Sequence, residues 1–129
     1  MKVILDTNFL LIPGQFKVDI FREIDRICNF QYTLCIIDKT FDELNSIIES
    51  SSGSDSRAAK LALDLIKHKH LNIITTDQPN KIVDDLLVDE AKKEQIIVAT
   101  NDKELKLRLK GIANKIIILK SKKYLSFGG

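Results

Sequence analysis

The sequence predicts an α/β fold, a three-layer α/β/α sandwich around a central parallel sheet of about five strands. Three observations carry that reading. Short apolar runs alternate with longer segments of helical periodicity along the chain. Most of the runs are apolar throughout, as strands covered on both faces must be. Acidic residues recur just beyond the runs, at the edge where open α/β sheets bind their ligands.

The first strand spans residues 3–5, Val-Ile-Leu. Residues 16–30 carry apolar side chains at 16, 20, 21, 24, 27 and 28, a helical spacing. A second strand follows at 32–37, then a helix at 39–48 with Asp38 as its N-terminal cap. Residues 49–54 are polar and form a loop too short to link domains. A helix rich in Ala and Leu runs over 56–69, and a third strand over 72–75. Helix 81–94, strand 96–99, helix 103–109 and strand 115–119 complete the pattern. Residues 120–129 show no periodicity, so a single domain at 1–119 and a C-terminal tail are expected.

A chain of 129 residues fits one domain and buries a core without disulfides or structural metal. Its hydrophobic content of 44% and charged content of 29% are ordinary for a globular protein. The net charge of +2 argues for no polyanion partner by itself, so any basic surface must come from local clustering. Cys28 and Cys35 lie among apolar neighbours and read as buried thiols in a reducing compartment. No leader is visible, and no apolar run approaches the roughly 20 residues of a membrane span. A cytoplasmic protein with no membrane association is expected.

The chemistry is expected at the strand ends. Asp6 follows the first strand directly, with Asn8 two residues on. Asp38, Asp42 and Glu43 follow the second, Asp84 and Asp85 open the helix before the fourth, and Asp102 follows the fourth after Thr100 and Asn101. Two carboxylates about 4 Å apart repel by roughly 4 kcal/mol at an effective dielectric near 20. Several converging carboxylates therefore need protons or a cation, and all-oxygen ligation suits Mg²⁺ or Mn²⁺. Each acid also has a simpler reading. An Asp after a strand is often a helix cap, Asp42 reads as a solvated helix residue, and Asp84 and Asp85 answer the helix dipole. Those readings do not explain the joint placement at several strand ends.

A family resemblance sharpens the picture. Ile4-Leu5-Asp6-Thr7-Asn8-Phe9-Leu10-Leu11 resembles the opening motif of PIN domains, and Phe41-Asp42-Glu43-Leu44 the second motif. Asp84-Asp85-Leu86-Leu87 with Ala91 resembles the third, and Val98-Ala99-Thr100-Asn101-Asp102-Lys103-Glu104-Leu105 the fourth. The stretch through Pro13, Gln15, Phe16, Asp19 and Ile20 is similar to archaeal PIN proteins related to eukaryotic small-subunit rRNA-processing nucleases. The resemblance covers Val3 to about Leu119. It implies an acidic quartet of Asp6, Glu43, Asp84 and Asp102 acting as catalytic residues and metal ligands. Asp6 would be central, and Asp85 is the alternative at the third position. Asn8 and Thr100 would support the carboxylates or a water by hydrogen bonds. The implied activity is Mg²⁺- or Mn²⁺-dependent hydrolysis of RNA phosphodiesters, in rRNA processing or as a toxin. The implied partners are RNA, a second copy of the chain, and an antitoxin if the chain is toxin-type.

Lys103, Lys106 and Lys110, with Arg108 close by, follow the Asp102 motif and are expected to contact RNA phosphates; the simpler reading is a solvated helix face. Lys120, Lys122 and Lys123 add charge in the tail, and Arg57 and Lys60 after the polar loop. His68 and His70 stand two apart on a helix and diverge, which argues against zinc. The tyrosines and phenylalanines sit mostly in apolar settings, and no base-stacking platform is expected. Two further readings compete. One is a binding module on the same fold without catalysis. The other is a receiver-like domain, for which Asp77 and Lys120 stand after the third and fifth strands.

Overall fold

The computed structural model describes residues 1–128. Its strands are β1 (Lys2–Leu5), β2 (Thr33–Ile37), β3 (Asn72–Ile74), β4 (Ile96–Ala99), β5 (Lys115–Lys120) and β6 (Tyr124–Gly128). The helices are α1 (Thr7–Leu10), α2 (Ile12–Phe16), α3 (Ile20–Ile27), α4 (Thr40–Ser50), α5 (Ser54–His68), α6 (Val83–Lys93) and α7 (Lys103–Leu109). The strands form one sheet in the order β3-β2-β1-β4-β5-β6. Every pairing is parallel except β5 with β6.

The expected sandwich is present, and alternation along each strand explains its two cores. Val3, Leu5, Ile36, Ile97 and Ala99 face α1–α5, where Phe9, Ile20, Ile24, Leu44 and Ala59 cover them. Ile4, Cys35, Ile37, Ile96 and Val98 face α6 and α7, against Leu86, Leu87, Leu105 and Leu109. Each fully buried Leu or Ile contributes roughly 1.5–3 kcal/mol, so both faces are strongly held.

Strand order fixes where a ligand would bind. The chain runs outward from β1 to β2 and β3, then crosses back to β4 on the other side of β1. The switch point lies between the carboxyl ends of β1 and β4. Asp6 and Thr100 follow those two ends. This order also rules out the receiver-like reading, whose order is 2-1-3-4-5.

Three expectations need correction. Residues 120–129 are not a featureless tail, because Tyr124–Gly128 pairs with β5 as a sixth, antiparallel strand. The presumed boundary at residue 119 falls inside β5. Glu23 and Arg26 of α3 hold the outer side of β6: the Leu125 N–H donates to Glu23 Oε1 at 3.0 Å, and Arg26 Nη2 donates to the Leu125 carbonyl at 2.8 Å. These bonds occupy the outward N–H and carbonyl of Leu125 on an edge strand, groups that could otherwise pair with another chain. The single helix expected at 16–30 is interrupted. Lys17 ends α2 in the left-handed region at φ 56°, and Asp19 caps a new helix by accepting from the Arg22 N–H at 3.1 Å. Gly14 sets where α2 lies, because a Cβ there would stand 2.6 Å from the Cα of Ala58 on α5. Finally, Asp38 does not cap α4 from the N-cap position, which Lys39 occupies. Instead its carboxylate joins the ends of β2 and β3 through Thr76.

Candidate active site

Asp6 leaves β1 and caps α1, and both its oxygens are held. Oδ1 accepts from the Phe9 N–H at 2.6 Å, and Oδ2 accepts from the Thr100 hydroxyl. The residue is only 3% exposed. Burial pushes its carboxyl up to about 6; the bonds from Thr100 and Phe9 oppose the rise, and the charges of Asp84 and Asp102 add to it. A buried carboxylate of this kind is a poised, under-neutralised charge.

Thr100 links two acids. Its hydroxyl donates to Asp6 and accepts from the Asp102 N–H at 3.1 Å. Asp102 caps α7 by accepting from the Leu105 N–H at 2.8 Å. The cap reading and the acidic-site reading thus hold together for Asp6 and Asp102, since one carboxylate oxygen serves the helix and the residue still faces its acidic neighbours.

Glu43, in the first turn of α4, is held from both sides of the sheet. Its Oε1 accepts from the Thr7 hydroxyl at 2.6 Å, and its Oε2 accepts from the Val83 N–H at the start of α6 at 3.3 Å. Asp84 is the next residue. Burial raises its carboxyl, and the charges of Asp102 and then Glu43 push the same way, against Arg108. Asp6, Glu43, Asp84 and Asp102 therefore form one electrostatic neighbourhood at the switch point. Among the described residues, no three carboxylate, imidazole or thiol groups close on one point as a finished ion cage.

The donor set still fits a hard divalent cation. All four donors are carboxylates, and their mutual repulsion is what such a charge relieves. Mg²⁺ commonly takes one or two carboxylates and keeps several waters, so a loose group of acids suffices.

The other residues singled out in the sequence fall in several places. Asp85 pairs with Arg108 at 2.9 Å, which gives the reserve ligand and one of the basic residues each other as partners. Lys103, Lys106 and Lys110 line a 510 Å³ groove beside α7, together with Lys115. Asn8 is exposed and lines a separate 270 Å³ pocket with Asp102. His68 sits on α5, its Nδ1 2.8 Å from the Asp64 carbonyl oxygen. Sequence reasoning passed over Thr7, the buried hydroxyl that holds Glu43. Its signal was its place one residue after Asp6.

Comparison with known proteins agrees with this fold. The profile of the family described as PIN like domain matches residues 3–122. The chain is 33% identical over 131 residues to ribonuclease VapC4 of Methanocaldococcus jannaschii, covering 99% of this chain and 97% of that protein. It is 30% identical over 112 residues to the rRNA-processing protein fcf1 of Schizosaccharomyces pombe, covering 85% of this chain and 54% of the longer relative. The solved structure of the PIN domain endonuclease Utp24 superposes with a TM-score of 0.81 at 25% identity, covering 98% of this chain and 90% of that one.

Proposed function

Because this chain belongs to the PIN like domain family, we propose that it is a divalent-metal-dependent ribonuclease whose ligands are Asp6, Glu43, Asp84 and Asp102. The observation that carries this reading is Asp6, a buried carboxylate held on both oxygens and pushed up to about 6 by burial and by its acidic neighbours. The similarity to VapC4 and Utp24, described as a ribonuclease and an endonuclease, supports it.

A bound Mg²⁺ or Mn²⁺ would supply charge stabilisation on the phosphate and an activated water. The chain's own residues do the positioning. Thr100 and the Phe9 N–H fix the orientation of Asp6. Thr7 and the Val83 N–H fix Glu43. The Leu105 N–H fixes one oxygen of Asp102 and leaves the other free. Asp84 brings a carboxylate whose charged form is disfavoured by burial and by Asp102 and Glu43, and Asp85 stays with Arg108. Lys103, Lys106 and Lys110 take RNA phosphates along the α7 groove.

Two roles fit the activity. The motif Ala99-Thr100-Asn101-Asp102-Lys103-Glu104-Leu105 and the likeness to fcf1 and Utp24 favour rRNA processing. The near-full-length match to VapC4 favours a toxin with an antitoxin partner. Growth arrest on expression, relieved by a small co-expressed antitoxin, would decide for the toxin. The activity is tested by incubating purified protein with labelled RNA and Mn²⁺. Cleavage by the wild type and its loss in Asp6→Asn are expected. RNA binding without cleavage, unchanged by that substitution, would make the chain a silent binding module.

A further inference from the structure

Beside Asp102 lies a 270 Å³ pocket. It is smaller than the roughly 300 Å³ at which drug-sized sites begin, and so suits a compact planar ligand. Asn101 and Asp102 form one wall, and α1 and α2 supply an apolar floor. The Asn101 amide is fixed, bonding the Leu119 carbonyl at 3.1 Å and the Leu119 N–H at 2.7 Å. Asn8 and Gln15 are exposed at the mouth, each with an amide that both donates and accepts. Phe16 completes the mouth and is 38% exposed.

A second, independent feature points at the same ring. The β5–β6 turn has Ser121 and Lys122 both at φ 55°, closed by the Lys123 N–H donating to the Lys120 carbonyl at 3.0 Å. Turns with two positive φ values ordinarily use Asn and Gly, because a Cβ there is strained. The same turn carries Lys122, whose ammonium stands 5.6 Å from the centre of the Phe16 ring.

We propose that this pocket is a nucleobase subsite, taking one unpaired base of the RNA next to the phosphate that is cut. The proposal rests on the ribonuclease reading. The base stacks on Phe16, the amides of Asn8 and Gln15 meet its polar edge, and Lys122 neutralises the adjoining phosphate. A base can enter such a pocket only when it is out of a duplex, so the substrate is single-stranded at the cleavage point.

The chain contains no tryptophan, so Phe16→Trp places a single reporter in the pocket. In EDTA, where nothing is cut, a single-stranded oligoribonucleotide should quench that fluorescence. A fully abasic strand of equal length, the matching duplex and an acidic peptide should not. Equal quenching by the abasic strand or the peptide would overturn the proposal. With Mn²⁺, Phe16→Ala should raise KM for single-stranded RNA roughly 5- to 150-fold, the worth of one stacked base, and affect kcat less. Phe16→Tyr should restore KM. Wild-type KM in Phe16→Ala would sink the subsite and leave the ribonuclease reading standing. Quenching specific for bases, in a protein that never cuts RNA, would sink the ribonuclease reading and, with it, the place of this base next to a cut phosphate, leaving base binding by the pocket alone.

Discussion

Asp6 and Asp38 occupy matching places in the molecule and behave in opposite ways. Each follows a parallel strand, β1 and β2, and each takes a threonine hydroxyl from beyond a neighbouring strand, Thr100 and Thr76. Asp38 is partly exposed. Burial works against its charge, but bonds from the Thr76 N–H and hydroxyl and from the Lys39 N–H outweigh it and hold the carboxyl below its usual range. Asp6 is buried, receives fewer bonds, faces Asp84 and Asp102, and is pushed up to about 6. The fold stabilises one aspartate as the carboxylate and, by burial, disfavours that form of the other. Position after a strand does not separate them; depth of burial and the hydrogen bonds set against it do.

The largest effect expected from this contrast follows removal of the under-neutralised charge. Asp6→Asn should lower RNA cleavage by more than the roughly 10–100-fold that loss of a ligand-orienting group brings. The same variant should unfold no more easily than wild type in chelator, since it removes a buried charge. In metal-free buffer the wild type should lose about 3 kcal/mol of stability as pH rises from 3.8 to about 6. Asp6 keeps its proton in the fold over that window, while the unfolded chain has released it. Asp6→Asn should flatten that fall, which denaturant melts at several pH values would show.

Thr100→Val leaves Asp6 in place but unoriented, and should cost about 10–100-fold in Mn²⁺ affinity or cleavage, read by titration and kinetics. Asp38→Ala removes the acceptor for three bonds and should cost roughly 1–3 kcal/mol in urea melts, with cleavage per folded molecule unchanged. The stability that Asp38 adds is complete above pH 3.8 and is lost as pH falls through its lowered folded value, the reverse slope to Asp6. Arg108→Ala breaks an exposed pair with Asp85 and should change stability by less than about 1 kcal/mol. A strong loss of Mn²⁺ affinity in that variant would mean that Asp85 belongs to the site.

The strands and the place of Asp6 and Asp102 were legible because both depend on local sequence: apolar runs covered on two faces, with Asp6 directly after β1 and Asp102 shortly after β4, past Thr100 and Asn101. The contrast between Asp6 and Asp38 was not, because it depends on Thr76 and Thr100, which lie 38 and 94 residues away. Strand β6 was missed because its stability comes from β5 and from Glu23 and Arg26, not from any pattern of its own. Phe16 reads as the first apolar position of one helix because the apolar period runs on through residues 16–30. The break at Lys17 and the Asp19 cap turn it instead toward the mouth of a pocket. Glu43 was legible as an acid but not as the partner of Thr7, a contact made across 36 residues.

The central claim is that the acids at the β1–β4 switch point hold a divalent ion. Anomalous diffraction from crystals grown with Mn²⁺ tests it most directly. A manganese peak bonded to Asp6 and to at least two of Glu43, Asp84 and Asp102 is the predicted result. Manganese absent from Asp6 at saturating concentration, with the four carboxylates turned away from one another, would contradict it.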